Sequence, residues 1–237
     1  MFYQMSCIGR HHSFLGEENQ DVVLTAENHR YEVITLADGV TTCKESKKGA
    51  EIASKTVTDL LLKNAPQVFA LDSDQIIEII IMQVLYELEQ KAETDHRSVD
   101  DYSSTISSVL ADKKRNRMLY FHLGDGIIIA SENERCRVIA MPDDNSRGCC
   151  VSTTDGAQHR AVSGVISSNP VNSVIICSDG AWKQMYQKNK MKPNVASMLR
   201  ESRYEELEMF LRNLDCADDF SFVSLALTNR DGKDKTA

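Results

Sequence analysis

The feature that most restricts how this chain can fold is an aspartate that ends an apolar run in three places. The runs are VITLADG at 33–39, FHLGDG at 121–126 and VIICSDG at 174–180, and each ends in the pair Asp-Gly. A fourth aspartate, Asp21, comes directly before the run VVL at 22–24. Short apolar runs of this kind predict buried strands. Carboxylates are therefore expected at strand ends, where a buried charge without a partner is very costly.

The same pair is also a strong signal of a β-hairpin, because Asp and Gly both tolerate the positive φ of a type I′ turn. This interpretation stays open for Asp125, since a second apolar run, IIIAS at 127–131, follows it. Asp38 and Asp179 differ, because the residues after each of them show helical spacing. These two positions therefore predict a strand that ends and a helix that follows.

Charge and cysteine usage argue against several classes of function. The chain has 237 residues and a net charge of −8, which disfavours nucleic acid as its main partner. Its seven cysteines are scattered without a C-x-x-C pair, as is typical of reduced cytosolic thiols and unlike a cysteine-based zinc site. The most apolar long window, 75–90, contains Glu78 and Glu87 and is too short and too charged to span a membrane. We therefore expect a cytoplasmic monomer that binds neither nucleic acid nor membrane.

The order of predicted elements favours an α+β fold. Apolar periodicity predicts strands at about 2–9, 20–25 and 31–37, helices at 46–64 and 73–92, strands at 104–111, 118–130 and 135–141, a loop with short strands at 142–172, a strand at 173–178, helices near 180–187, 192–201 and 203–214, and a strand at 219–227. A loop is expected at 9–18, and Ser73 is the expected N-cap of the second helix. Two consecutive helices interrupt the alternation of a parallel sheet, so the pattern favours mostly antiparallel sheets with helices outside them. Residues 1–228 are expected to form one domain, followed by a polar tail at 229–237.

This order of elements brings four carboxylates to one edge of a sheet. Asp21 starts a strand, Asp38 and Asp179 end strands, and Asp218 immediately precedes the last strand. Because neighbouring antiparallel strands bring their starts and ends together, these side chains should repel one another unless a cation neutralises them. Oxygen ligands alone are typical of hard ions such as Mg²⁺, Mn²⁺ or Ca²⁺.

Six short motifs resemble those of one enzyme family. They are NQD at 19–21, ADG at 37–39, ST at 104–105, GDG at 124–126, SDG at 178–180 and DDFS at 218–221. In order and approximate spacing they are similar to the motifs of metal-dependent protein serine/threonine phosphatases of the 2C type. The segment GRHHSFLGEENQD at 9–21 resembles the bacterial branch of that family. The resemblance spans about Ser6 to Leu227 and implies a four-layer αββα sandwich of two mostly antiparallel sheets flanked by helices.

The resemblance also implies a centre at one end of the sandwich that holds two Mn²⁺ or Mg²⁺ ions and, in many bacterial members, a third. Carried over one residue at a time, the implied roles are Asp38 bridging both ions, the Gly39 carbonyl binding one of them, Asp179 and Asp218 binding the other, Asp21 with Gln20 holding metal-bound waters, and Asp125 sharing the third ion with Asp179. Two such cations lower the pKa of a bridging water and stabilise both oxygens of an in-line displacement, so no covalent nucleophile is required.

Two departures from the family pattern concern substrate binding and proton transfer. Many members place a phosphate-binding Arg five residues before the first aspartate, and this chain has Gly16 there. Arg10, His11 or His12 could contact the phosphate instead, and His12 is favoured because it matches a histidine of the bacterial branch. The family histidine that is proposed as a general acid in some relatives is absent from DGVTTCK at 38–44.

The leading hypothesis is a metal-dependent phosphatase that hydrolyses phosphoserine and phosphothreonine in proteins and acts opposite a serine/threonine kinase. One alternative is a catalytically weak phosphatase-like module that binds a phosphoprotein. Another is a metal-dependent hydrolase of small-molecule phosphates. The complete set of Asp38, Asp179 and Asp218 argues against the binding module, because binding alone does not require all three.

Overall fold

The computed structural model describes residues 1–143 and 152–227 of the chain. Within these ranges the strands are β1 (Phe2–Cys7), β2 (Asp21–Glu27), β3 (Tyr31–Asp38), β4 (Ile106–Asp112), β5 (Arg117–Leu123), β6 (Ile127–Glu132), β7 (Cys136–Ala140), β8 (Val162–Ser167), β9 (Val171–Cys177), β10 (Tyr186–Gln187), β11 (Lys190–Met191) and β12 (Phe220–Ala226). The helices are α1 (Arg10–Leu15), α2 (Ser46–Lys63), α3 (Ala65–Val68), α4 (Ser73–Asp95), α5 (Asp179–Met185), α6 (Pro193–Arg200) and α7 (Tyr204–Arg212). The predicted tail at 229–237 and part of the predicted loop at 142–172 lie outside the described residues.

Two five-stranded antiparallel sheets form the centre of the described molecule. Sheet I has the strand order β2-β3-β4-β5-β8, and sheet II has the order β1-β12-β9-β6-β7. The sheets pack face to face through fully buried apolar side chains that include Ile34, Val109, Ile176 and Val223. Helices α2 and α4 cover the outer face of sheet I, and α6 and α7 cover that of sheet II. The predicted α+β fold and its αββα layer order are therefore confirmed.

Helix α4 illustrates how local sequence and packing together define an element. Asp72, and not Ser73 as predicted, is its N-cap: the Asp72 carboxylate accepts a 2.9 Å bond from the Gln75 N–H, and the Gln75 side chain bonds back to the Asp72 N–H. A carboxylate is favoured there because its charge also interacts with the helix dipole. Ile80 and Val84 are fully buried between α4, α2 and sheet I.

No helix within the described ranges has the length and hydrophobicity needed to cross a membrane.

The segment at 9–18, predicted as a loop, contains helix α1. The Gly9 N–H donates to Asp219 Oδ1 at 2.7 Å, which fixes the start of the helix. Gly16 ends it with a φ of 71°, a conformation that side chains other than glycine rarely adopt. The loop prediction is wrong because the anchor of this helix, Asp219, lies 210 positions away in the sequence.

The predicted strand at 118–130 is two strands, because the chain passes from sheet I to sheet II at Asp125. Gly124 adopts a φ of 122°, and a Cβ atom at Gly126 would lie 2.9 Å from the carbonyl oxygen of Cys177. The turn therefore requires glycine on both sides of the aspartate. The hairpin interpretation of Asp125 is wrong, since β5 and β6 are not neighbours in either sheet of the described residues.

Candidate metal centre

Asp21 and Asp38 lie opposite each other at the end of sheet I. They are register partners in the antiparallel pair of β2 and β3. The Asp38 N–H donates to Thr105 Oγ1 at 3.0 Å, and Asp21 Oδ2 accepts a 2.9 Å bond from Ser178 Oγ. Asp21 is 2% exposed, and its Oδ1 has no hydrogen-bond partner among the described residues. One buried carboxylate oxygen is therefore left to accept a ligand or a water proton.

Asp179 and Asp218 come from sheet II. Asp179 is the first residue of α5, separated from the end of β9 by Ser178 alone, and Asp218 precedes β12, which is the neighbour of β9. A Cβ atom at Gly180 would lie 2.1 Å from the carbonyl oxygen of Asp219, so glycine allows α5 to start against this segment. Asp179 Oδ2 accepts a 2.6 Å bond from Lys183 Nζ, whereas its buried Oδ1 has no protein donor within the described ranges.

The aspartates meet at a cavity of about 230 Å³. Four of them line it: Asp38, Asp125, Asp179 and Asp218. The backbone of Gly39 contributes to the same wall. The sequence placed the carboxylates at the edge of one sheet, but they come from the ends of both sheets and from the turn that connects them. Asp38 ends β3 of sheet I, whereas Asp179 follows β9 and Asp218 precedes β12 of sheet II, and no local pattern in the sequence showed this division.

Crowding and burial raise the pKa values of these carboxyl groups. Burial raises the pKa of Asp38 well above its usual range, and the charges of Asp21, Asp179, Asp125 and Asp218 raise it further. Burial also raises the pKa of Asp21 to about 7. Loss of hydration and the charge of Asp179 raise the pKa of Asp218. All three shifts have the sign expected of carboxylates that lack a sufficient counter-charge.

The donor set fits a divalent cation that prefers oxygen. The described cavity wall offers carboxylate and carbonyl oxygens but no histidine or cysteine, and buried oxygens of Asp21 and Asp179 have no protein donor in that part of the chain. These are ligands typical of Mg²⁺ and Mn²⁺. In residues 1–143 and 152–227, no three Asp, Glu, His or Cys side chains are already arranged to hold a metal.

The cavity wall formed by the described residues contains neither Arg10 nor His12. Arg10 pairs at 2.6 Å with exposed Asp215. The His12 ring is 1% exposed, and its Nδ1 lies 2.9 Å from Asp219 Oδ2, an ion-pair distance without well-directed hydrogen-bond geometry. In this structure His12 therefore supports the segment that carries Asp218. Phosphate contact by Arg10 or His12 stays a prediction.

Three side chains that were not predicted as site residues bind the carboxylate residues. Ser178 Oγ donates to Asp21, Lys183 Nζ donates to Asp179, and Lys47 Nζ donates to the backbone carbonyl of Asp21 at 3.0 Å. Lys183 could have been found, because it stands four residues after Asp179 on a predicted helix, where side chains are neighbours. The contact of Lys47 had no local signal, since it depends on the packing of α2 against β2.

Without a bound cation, the protein should lose stability as the pH rises. The folded pKa of Asp21, about 7, lies above the value of about 3.9 expected for an unfolded chain. Its contribution to stability is therefore fully present below about pH 4 and is lost as the pH rises through about 7. We expect the melting temperature in chelator to fall between about pH 4 and 7, by about 2 to 4 °C for each kcal/mol lost. Circular dichroism during heating measures this change.

Asp21→Asn provides the matched variant for this pH dependence. An amide at the same position cannot ionise, so the melting temperature of the metal-free variant should fall less steeply over the same pH range. The remaining slope should come from Asp38 and Asp218, whose pKa values are raised in the same direction. An identical slope in the variant and the original chain would show that Asp21 does not titrate in this range.

One protein-family model matches most of this chain, and several solved structures have a similar fold. The model of the Protein phosphatase 2C family matches residues 8–214. A solved bacterial serine phosphatase has a TM-score of 0.69 and 13% identity, with 96% of this chain and 97% of that chain covered. The serine/threonine phosphatase Stp1 from Staphylococcus aureus has a TM-score of 0.68 and 12% identity, with 95% and 94% covered. RsbX in complex with magnesium has a TM-score of 0.57 and 14% identity, with 94% and 92% covered. No curated protein sequence gives a significant match.

Proposed function

This chain belongs to the protein phosphatase 2C family, and from that premise we propose that it is a metal-dependent phosphatase of phosphoserine and phosphothreonine in proteins. The observation that carries the proposal is the meeting of Asp38 from sheet I with Asp179 and Asp218 from sheet II at one cavity. Stp1, which has the same fold, is a serine/threonine phosphatase, and RsbX was solved with magnesium. A serine/threonine kinase that phosphorylates the same protein is the partner that this activity requires.

The residues present fit two Mn²⁺ or Mg²⁺ ions. Asp38 and the Gly39 carbonyl would hold one ion, and Asp179 and Asp218 would hold the other, with Asp38 shared between them. When bound, such ions supply positive charge that activates water and neutralises phosphate oxygens. Asp21 is oriented by Ser178, which occupies its Oδ2 and leaves its Oδ1 as an acceptor. We propose that Asp21 uses this oxygen to orient water in the centre.

Substrate binding, and not only turnover, should depend on metal because the cavity is lined by carboxylates. A phosphate monoester carries about two negative charges at neutral pH, and the cavity wall contributes four carboxylates. The negative charges of the phosphate and of the carboxylates repel one another. The carboxylates therefore cannot hold the substrate phosphate themselves, and their role is to hold the cations that do. Phosphopeptide binding should disappear together with turnover when chelator removes the metal.

Phosphate release from phosphoserine and phosphothreonine peptides tests the proposed function. We expect release with Mn²⁺ or Mg²⁺ to exceed that in chelator at least about 100-fold, since metal charge contributes several kcal/mol and each 1.4 kcal/mol is tenfold. Nucleotides and sugar phosphates serve as controls and should be hydrolysed more slowly. Peptide binding without release would favour the binding module, and faster hydrolysis of nucleotides would favour a small-molecule phosphatase.

A further inference from the structure

Lys183 forms an ion pair with Asp179, one of the carboxylates that line the cavity. Its Nζ atom lies 2.6 Å from Asp179 Oδ2, one helical turn earlier on α5. The Lys183 side chain is 54% exposed and lies at the edge of the cavity wall rather than in it. An ammonium group therefore contacts one of the four carboxylates that line the cavity.

The two oxygens of Asp179 have different surroundings. Oδ2 accepts the hydrogen bond from Lys183, whereas Oδ1 is buried and has no donor among the described residues. Asp179 is 8% exposed, so water cannot easily satisfy the second oxygen. One oxygen is thus available to an ion of the proposed pair, and the other is occupied by an ammonium group that belongs to the chain itself.

The turn that carries Asp125 is attached to the same part of α5. Trp182 Nε1 donates to the backbone carbonyl of Asp125 at 2.7 Å. Trp182 immediately precedes Lys183, so this contact fixes the distance between the Asp125 turn and the helix that carries the lysine. A third ion shared by Asp125 and Asp179, as the family resemblance implies, would have to compete with the Lys183 ammonium for Asp179 Oδ2.

We propose that Lys183 takes the place of a third cation in this chain, so that the centre holds two metal ions and one fixed ammonium group. The inference rests on the proposed function, because it presupposes the two-metal centre. An ammonium group supplies one positive charge and hydrogen-bond donors, and chelator cannot remove it. Asp179 therefore keeps a positive charge beside it at metal concentrations that would leave a weak third site empty.

Calorimetric titration of metal-free protein with Mn²⁺ tests this assignment without measuring activity. We expect the wild-type chain to bind two ions. Lys183→Met removes the ammonium at similar side-chain length and frees Asp179 Oδ2, so this variant should bind three. Lys183→Arg keeps the charge and should bind two. Lys55→Met is the matched control, because Lys55 forms the same type of one-turn ion pair, with Asp59 at 2.9 Å on α2, outside the cavity wall.

The outcomes separate this inference from the proposed function. Three ions in the wild-type chain, or two ions in both the wild-type chain and Lys183→Met, would overturn the inference and leave the two-metal centre standing. No bound ion in the folded wild-type chain would instead remove the proposed function. Circular dichroism verifies that each variant is folded, and Lys183→Gln, which keeps a polar side chain, replaces Lys183→Met if the latter does not fold. The assignment is supported if Lys183→Met binds one ion more than the wild-type chain and Lys55→Met binds the same number as the wild-type chain.

Discussion

Asp38→Asn should abolish metal-stimulated phosphatase activity while the protein remains folded. Asp38 is the side chain at the end of sheet I that lines the cavity together with the carboxylates of sheet II. Asparagine keeps its shape but removes the charge that both proposed ions would share. We expect kcat/KM for a phosphopeptide to fall at least about 1000-fold, because loss of a shared ligand removes several kcal/mol of charge stabilisation at 1.4 kcal/mol per tenfold.

The stability of the same variant gives an independent result. In the metal-free protein burial and the charges of the neighbouring carboxylates raise the pKa of Asp38, so an uncharged side chain should leave the melting temperature in chelator unchanged or higher. Added Mn²⁺ should stabilise the original chain but stabilise Asp38→Asn much less. Asp59→Asn, the same chemical change on the surface of α2, is the control. Turnover near that of this control would contradict the assignment of Asp38 as a shared ligand.

Gly180→Ala should also cause a large loss of activity, although it removes no functional group. The added methyl group would lie 2.1 Å from the carbonyl oxygen of Asp219 and 3.5 Å from the Cβ atom of Asp218. A backbone atom cannot rotate away, so either the start of α5 or the segment before β12 must move. That movement changes the distance between Asp179 and Asp218. Since a displacement of 1 Å can cost about 100-fold in rate, we expect a loss of about that size in kcat/KM.

A second glycine provides the control for this steric prediction. A Cβ atom at Gly164, on β8, would lie 3.0 Å from side-chain atoms of Tyr120, which can shift. Gly164→Ala should therefore change the melting temperature slightly and leave Mn²⁺ affinity intact. Gly180→Ala should lower both the melting temperature, by overpacking that costs about 1–3 kcal/mol, and the affinity for Mn²⁺. Unchanged Mn²⁺ affinity and activity in Gly180→Ala would show that the segment before β12 adjusts without moving Asp218.

Local sequence patterns were sufficient to predict helices and strands whose positions depend mainly on their own residues. Helix α2 was expected at 46–64 and spans Ser46–Lys63, because its apolar residues recur at helical spacing and pack on sheet I. Helix α1 was missed because its start is held by Asp219, and the strand predicted at 118–130 was not divided because the change of sheet depends on tertiary packing. Interactions between residues far apart in the sequence therefore account for these errors.

For the candidate site, too, local patterns predicted some residues, and those whose contacts depend on tertiary packing were not predicted. Positions at strand ends predicted that Asp21, Asp38, Asp179 and Asp218 lie close together, and the family resemblance added Asp125. Asp38, Asp125, Asp179 and Asp218 line one cavity, and Asp21 pairs with Asp38 on the neighbouring strand. Their roles as metal ligands stay predictions. The sequence did not show that the cavity joins two sheets or that Lys183 bonds to Asp179, because both depend on how helices and sheets pack.

The origin of the carboxylates in two different sheets has a mechanical consequence. An ion held jointly by Asp38 on one side and by Asp179 and Asp218 on the other would act as a cross-link between the ends of the two sheets. Its affinity would then depend on the spacing of those ends, which the buried cluster between the sheets, including Ile34 and Ile176, helps to set. Coupling between two sites is reciprocal, so substitutions that loosen this interior should weaken metal binding, and metal binding should tighten the interior.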